Sequence, residues 1–266
     1  MGSVKKYFKK QFRRNMFGLK YKSNSDFYLS CFQSSTSALP LLIVRLLLFL
    51  TCLGIFISSL TITTMYFSNA GLWFLYMTSW GVMLITITSG FGFVVSATIY
   101  LKGDPDDSSG LPWYIKVYWA LYTLTIPIAF FITVFYWAFL SSANEEFAVD
   151  SVLDIFIHAI NSVIMFLLLI TARQPTNLLH FYISILFAIV YVIFTVIYYS
   201  VDGRDPFGNP YIYPVLDWNN AGTSMITVVF AAILIIVFHF LTAMMTVARD
   251  AFSRWWTRND DNFQLA

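Results

Sequence analysis

Residues 41–62 read LLIVRLLLFLTCLGIFISSLTI, and this stretch decides the fold. It carries a single charge, Arg45, in a run that is otherwise apolar or small. A helix rises about 1.5 Å per residue, so about 20 such residues cross the ~30 Å of hydrocarbon in a bilayer. Water is absent there, and a helix satisfies its own peptide groups. Five further stretches read the same way, at about residues 73–99, 115–140, 152–171, 181–200 and 224–247. Turn and charge signals separate them: Asn69-Ala70-Gly71, Gly103-Asp104-Pro105, Asn144-Glu145-Glu146, Arg173-Gln174-Pro175 and Asp202-Gly203-Arg204-Asp205-Pro206. Pro127 falls inside the third run and predicts a kink. The expected fold is all-α, a polytopic bundle of six transmembrane helices.

Composition agrees. Of 266 residues, 58% are hydrophobic and 11% charged, with a mean hydropathy of +0.69. A soluble domain keeps roughly a quarter of its residues charged, so too few charges are present to cover a water-facing surface. About 39 polar or basic residues precede the first apolar run, which is too long for a signal-peptide core, so the first helix is expected to stay in the membrane. Cys31 and Cys52 lie before and inside that helix, and no disulfide is expected.

Six crossings put both ends on one side, and the basic residues say which. Lys5, Lys6, Lys9, Lys10, Arg13, Arg14, Lys20 and Lys22 crowd the N-terminal tail. Arg45, Lys102, Lys116, Arg173, Arg249, Arg254 and Arg258 fall on the same side, leaving Arg204 alone on the other and accounting for all sixteen. The positive-inside rule makes both termini cytosolic and turns the loop with Glu145, Glu146 and Asp150 outward. The chain divides into a basic tail (1–39), a membrane domain (40–247) and a cytosolic C-terminal tail (248–266). In the tail, Val4, Tyr7, Phe8, Phe12, Met16 and Leu19 share one arc of a helical wheel, opposite the basic residues. That pattern predicts an interfacial helix on the anionic inner leaflet.

Ionisable groups inside spans cost at least ~2.5–3.5 kcal/mol at mid-bilayer and are functional candidates by default. Arg45 lies near the inner end of its span, where it is expected to snorkel. His180 is expected to be solvated at the cytosolic edge, and His239 to bond a neighbouring carbonyl. Asp154 and His158 differ: four apart near the outer end of span four, they share one helix face, with Asn161 following on about the same side. Thr78 lies near the outer end of span two, so it and His158 both fall roughly 7–12 Å below the outer surface. Asp217 and Trp218, before span six, lie on that side too.

A hydroxyl, an imidazole and a carboxylate at one depth are the parts of an acyl-transfer site. His158 would take the Thr78 proton, Asp154 would hold the tautomer, and Asn161 or a backbone N–H would donate to the oxyanion. Two plainer readings stand beside it: a helical threonine usually bonds back to the preceding turn, and Asp–His pairs also join helices structurally. A metal site from Asp154, His158 and Asp217 is disfavoured, since a single histidine lies at that depth. No cofactor and no nucleic-acid partner are expected. The expected partners are membrane lipids, with a lipid ester as candidate substrate.

Several of these residues sit in motifs that resemble a known family. Tyr76-Met77-Thr78-Ser79-Trp80, His158-Ala159-Ile160-Asn161, Arg173-Gln174-Pro175 with His180, Tyr213-Pro214-Val215-Leu216-Asp217-Trp218, and Phe27 with Ser30 occur in order along nearly the whole chain. Together they resemble the rolling stone-like proteins, a family named for an insect protein linked to myoblast fusion. Ser79 and Phe32 stand where Asn and Trp are expected. The resemblance implies a part in cell–cell fusion or membrane organisation, with the plasma membrane preferred over the endoplasmic reticulum. A more distant similarity, to the androgen-induced membrane hydrolases of fatty-acid esters of hydroxy fatty acids, implies Thr78 as nucleophile and His158 as base, and assigns no role to Asp154 or Asp217. Transport is disfavoured, because no internal repeat is found and the polar groups lie near one surface.

Overall fold

The computed structural model describes residues 9–106, 110–141 and 150–264, with the backbone alone for 257–264. Among these residues, six helices are long and apolar enough to cross a membrane. They are α1 (Leu39–Phe67), α2 (Met77–Lys102), α3 (Trp113–Phe135, prolonged by a π-turn at Tyr136–Leu140), α4 (Ser151–Thr171), α5 (Phe181–Ser200) and α6 (Ala221–Gln264). The fold is all-α; the β-pairing among the described residues is one isolated bridge, Ser30 to Ala172.

Helix boundaries depart from the hydropathy reading in one place that matters. The second apolar run starts at Trp73, yet α2 starts at Met77. Residues Ala70–Leu75 instead wind into a 3-10 turn, capped by the Asn69 side chain, which accepts from the Gly71 N–H at 2.8 Å. The Trp73 indole is buried and donates to Ser59 Oγ of α1 at 2.9 Å. Thr78 is therefore in the first turn of α2.

Without a hydrophobic force between helices in lipid, close approach depends on small residues and hydrogen bonds. Helix α2 supplies both. A Cβ on Gly81 would fall 2.3 Å from Ile132 Cδ1 of α3, and one on Gly90 would fall 3.1 Å from the Phe49 ring of α1. Thr88 and Thr125 join α2 to α3 at 2.7 Å. Helices α2 and α3 thus form the middle of the bundle, and α5 and α6 present Ile189, Ile193, Ile226 and Ile233 outward, as a lipid-facing surface requires.

The segment preceding α1 and the last part of α6 meet at one end of the bundle, where Ser253 reaches Cys31. A strap made from residues preceding α1 closes this terminal end. Leu178 N–H donates to the Gln11 side chain at 3.1 Å, Asn177 Nδ2 to the Met16 carbonyl at 3.4 Å, and Tyr182 OH to the Phe17 carbonyl at 3.0 Å. Phe27 is fully buried, 5.3 Å edge-on to Trp119. The Cys31 thiol donates to the Ile170 carbonyl at 3.3 Å, the Cys31 carbonyl accepts from Ser253 Oγ, and both cysteines are free.

This strap corrects three expectations. The tail is not one continuous helix in its described part: the helix ends at Gln11, and Arg14–Phe17 form a separate 3-10 turn. Val4, Tyr7 and Phe8 lie outside the described residues. His180 is fully buried rather than solvated, packed 5.2 Å from Trp119. Arg45 does not snorkel; it is fully buried and donates inward, to the Gly92 carbonyl at 3.2 Å and Ser96 Oγ at 2.7 Å. His239 behaves as expected, donating from Nε2 to the Asn177 carbonyl at 3.0 Å.

Candidate functional site

At the opposite end of the bundle, the Thr78 hydroxyl stands 3.1 Å from His158 Nε2. The early stop of the preceding turn explains why. Helix-interior threonines satisfy themselves locally: Thr51 donates to the Leu47 carbonyl, Thr64 to Leu60 and Thr86 to Val82, each four residues back. Thr78 has no helical turn before it, so its hydroxyl is free to reach across to α4.

On α4, the two nitrogens of His158 face different partners. Nδ1 lies 2.8 Å from Asp154 Oδ1 and 3.1 Å from the Asp154 carbonyl. A carboxylate there holds the proton on Nδ1 and leaves Nε2 free to accept from Thr78. Asp154 also accepts from the Tyr136 hydroxyl at 2.7 Å. The Tyr136 ring lies parallel to the imidazole, with centroids 3.4 Å apart and planes 3° apart. Tyr136 thus fixes the histidine twice, through its ring and through the carboxylate.

Both Tyr136 and His158 sit in π-turns, Tyr136–Leu140 on α3 and Phe156–Ile160 on α4. A π-turn adds a residue to the helical repeat and redirects the side chains that follow, a device frequent at functional sites. It also removes Asn161 from the predicted constellation. Beyond the π-turn, Asn161 points to α3, where its Oδ1 accepts from Thr133 Oγ1 at 3.0 Å, and it is fully buried.

The N-terminus of α2 supplies the remaining polar groups. The Met77 N–H donates to the Tyr213 hydroxyl at 3.0 Å, and that hydroxyl is also within hydrogen-bonding reach of the Thr78 side chain. Burial pushes the Tyr213 phenol above its ordinary pKa, so it remains protonated and able to donate. Thr78 further lies at the positive end of the α2 dipole, which favours negative charge developing on its oxygen.

Two cavities meet at these residues. One, of about 180 Å³, is walled chiefly by apolar side chains of α3, α5 and α6, among them Phe131, Phe135, Ala231 and Ile235. Its wall includes Ile189 and Ile193, which are about half exposed on the outside of the bundle, so lipid lies directly beyond it. The other, of about 90 Å³, has more polar groups in its mostly apolar lining, among them Ser59, Tyr76, Asp150, Asp154 and His158. Thr78, Tyr136 and Tyr213 line both.

Asp217 and Trp218 line neither cavity. Asp217 Oδ1 accepts from the Asn219 N–H at 3.0 Å and its carbonyl from Ser224 Oγ at 2.7 Å, while the Trp218 indole donates to Thr195 Oγ1 at 3.1 Å. They anchor the start of α6 to α5 and so hold the preceding segment, Tyr213 included, against α2. Among the described residues no three His, Cys, Asp or Glu side chains are grouped to hold a metal. Tyr136 and Tyr213 were not among the sequence candidates. Tyr213 heads the motif that carries the resemblance, so a signal existed; for Tyr136 the one signal is a hydroxyl at the depth of His158.

A family model described as Rost, protein rolling stone, matches residues 1–259. Protein rolling stone of Drosophila melanogaster is 32% identical over 257 residues, spanning 94% of this chain and 92% of that protein. No solved structure matches.

Proposed function

The chain belongs to the rolling stone family and is a multi-pass membrane protein, and from that premise we propose that it is an intramembrane threonine hydrolase of lipid esters. The observation that carries this reading is the unbroken hydrogen-bonded line Thr78–His158–Asp154–Tyr136, set where two cavities meet.

In the proposed cycle, the acyl chain lies in the apolar cavity with its ester carbonyl at Thr78. The Thr78 oxygen attacks the carbonyl carbon while its proton passes to His158 Nε2. The imidazolium is stabilised by Asp154, as in a serine triad. Charge builds on the former carbonyl oxygen, to which the Tyr213 hydroxyl and the α2 N-terminus can donate. The C–O bond to the alcohol then breaks, and the alcohol takes the proton from His158. Water beside Asp154 and His158 next gives a proton to His158 and attacks the acyl-threonine, releasing a fatty acid, and His158 returns the proton to the Thr78 oxygen. Fatty-acid esters of hydroxy fatty acids fit this chemistry, since both halves are apolar and one binds on each side of Thr78.

The test is labelling of detergent-solubilised protein by a fluorophosphonate. The expected result is covalent labelling of the wild type that is lost in Thr78→Ala, together with ester hydrolysis that is lost in both Thr78→Ala and His158→Ala. Folded protein that neither labels nor hydrolyses lipid esters overturns the proposal.

Family membership favours a second reading, a non-enzymatic part in cell–cell fusion or membrane organisation. It differs in its consequence: Thr78→Ala and His158→Ala would leave that activity intact. We place both termini in the cytosol on the asymmetry of the basic residues, and the family's link to cell–cell fusion favours the plasma membrane.

A further inference from the structure

Two arginines are buried at the terminal end of the bundle, far from Thr78, and they are treated differently. Arg249 is satisfied: it donates to the carbonyls of Leu169, Arg173 and Gln174 at 3.0, 3.3 and 3.1 Å, and pairs with Asp250 at 2.7 Å. Arg45 uses Nη1 alone, with its guanidinium carbon 4.8 Å from the centroid of the Tyr118 ring. Its Nε and Nη2 have no partner.

Around Arg45 are other groups in the same condition. The hydroxyls of Tyr118 and Tyr122 and both ends of the Gln174 amide are buried without a well-formed hydrogen bond. Tyr118 is in reach of both Arg45 and Gln174, and Tyr122 lies within the field of both Arg45 and Arg249. The Asp26 and Asp250 carboxylates pair with Arg173 and Arg249, and among the described residues no carboxylate acts on Arg45. All four side chains, Arg45, Tyr118, Tyr122 and Gln174, are fully buried.

An unopposed guanidinium in a low-dielectric interior is a large cost unless an anion accompanies it. The groups here are rich in donors, guanidinium N–H, phenol O–H and amide N–H, with Gln174 Oε1 and the two phenol oxygens as the side-chain acceptors. Water brings two protons of its own and no charge, whereas an anion brings acceptors and the missing charge. The closure of the site rules out a lipid headgroup. Gly92 is fitted to the arrangement: a Cβ there would fall 3.2 Å from the Tyr118 hydroxyl and 3.0 Å from its ring.

We propose that Arg45, Tyr118, Tyr122 and Gln174 form a closed site for one small monovalent inorganic anion of chloride size. The anion is structural, neutralising Arg45 and bridging α1 and α3 to the segment between α4 and α5. This site is independent of the hydrolase reading.

The experiment measures thermal unfolding of the full-length protein in detergent, in sodium gluconate and with chloride replacing gluconate at constant ionic strength. A ligand that binds the folded state alone raises Tm in a saturable way. Wild type should gain about 4 °C or more at saturating chloride. Tyr122→Phe, which keeps the ring and removes one donor, should raise the half-saturating chloride concentration about tenfold or more. Arg45→Met should lose the chloride response and melt no lower than chloride-free wild type, because the unopposed charge is gone. A wild-type Tm that is equal in gluconate and chloride overturns the proposal and leaves water as the occupant. A chloride response unchanged in both Tyr122→Phe and Tyr118→Phe also overturns it, whether or not Arg45→Met folds.

Discussion

The Thr78 hydroxyl meets His158 because α2 begins one residue before it, and Asp154 then decides what the imidazole can do. Asp154→Asn keeps the shape but offers an amide N–H to Nδ1, which favours the tautomer with its proton on Nε2. That change should lower the hydrolysis rate about 10³- to 10⁴-fold, as for the equivalent change in a serine triad. Tyr136→Phe keeps the stacked ring and removes one hydrogen bond to a charged acceptor, so a loss of about tenfold to a hundredfold in kcat is expected, with KM nearly unchanged. Steady-state kinetics on a lipid ester in micelles read both. Thr78, Asp154 and His158 were legible from depth and spacing alone. Tyr136 and Tyr213 were not, because with sixteen tyrosines in the chain nothing in the spacing singles out two. Arg45 and His180 were misjudged for another reason: Arg45 turns inward onto α2 and α3, and His180 is covered by the strap, neither of which a hydropathy pattern records.

The helices themselves were legible because bilayer thickness imposes a length and a composition on each. Their ends and internal slips were not. The turn at Ala70–Leu75 is as apolar as the helix after it, so hydropathy runs straight through. The π-turns leave no mark in composition, yet Phe156–Ile160 turns Asn161 away from the site that a 3.6-residue period predicts for it. Contact between α2 and α3 rests on Gly81, where an added Cβ meets the far end of Ile132 at 2.3 Å. Gly81→Ala should cost about 1–3 kcal/mol as overpacking, a Tm fall of about 2–4 °C per kcal/mol. Adding Ile132→Val, which removes the colliding Cδ1, should recover most of the loss; a double-mutant cycle measured by thermal unfolding reads that coupling.

For the molecule as a whole, six helices are long and apolar enough to cross a membrane, and the proposed orientation with both ends cytosolic has a direct test. Tags at both ends should be reached by a probe only after the plasma membrane is permeabilised, whereas a tag inserted between Glu145 and Glu146 should be reached on intact cells. Head and tail found on opposite faces would break the shared depth of Thr78 and His158. The strap across the terminal end has its own implication for biogenesis. Cys31 and Ser253, which it joins, are 222 residues apart. At about 5–20 residues per second, the ribosome finishes that interval roughly ten to forty seconds after Phe27 has left it. During that time the Cys31 carbonyl lacks the Ser253 hydroxyl, although Trp119, against which Phe27 packs, is already made. The earliest-made segment therefore gains its last anchor only when α6 is complete, and a chain that stalls before α6 holds a strap without it.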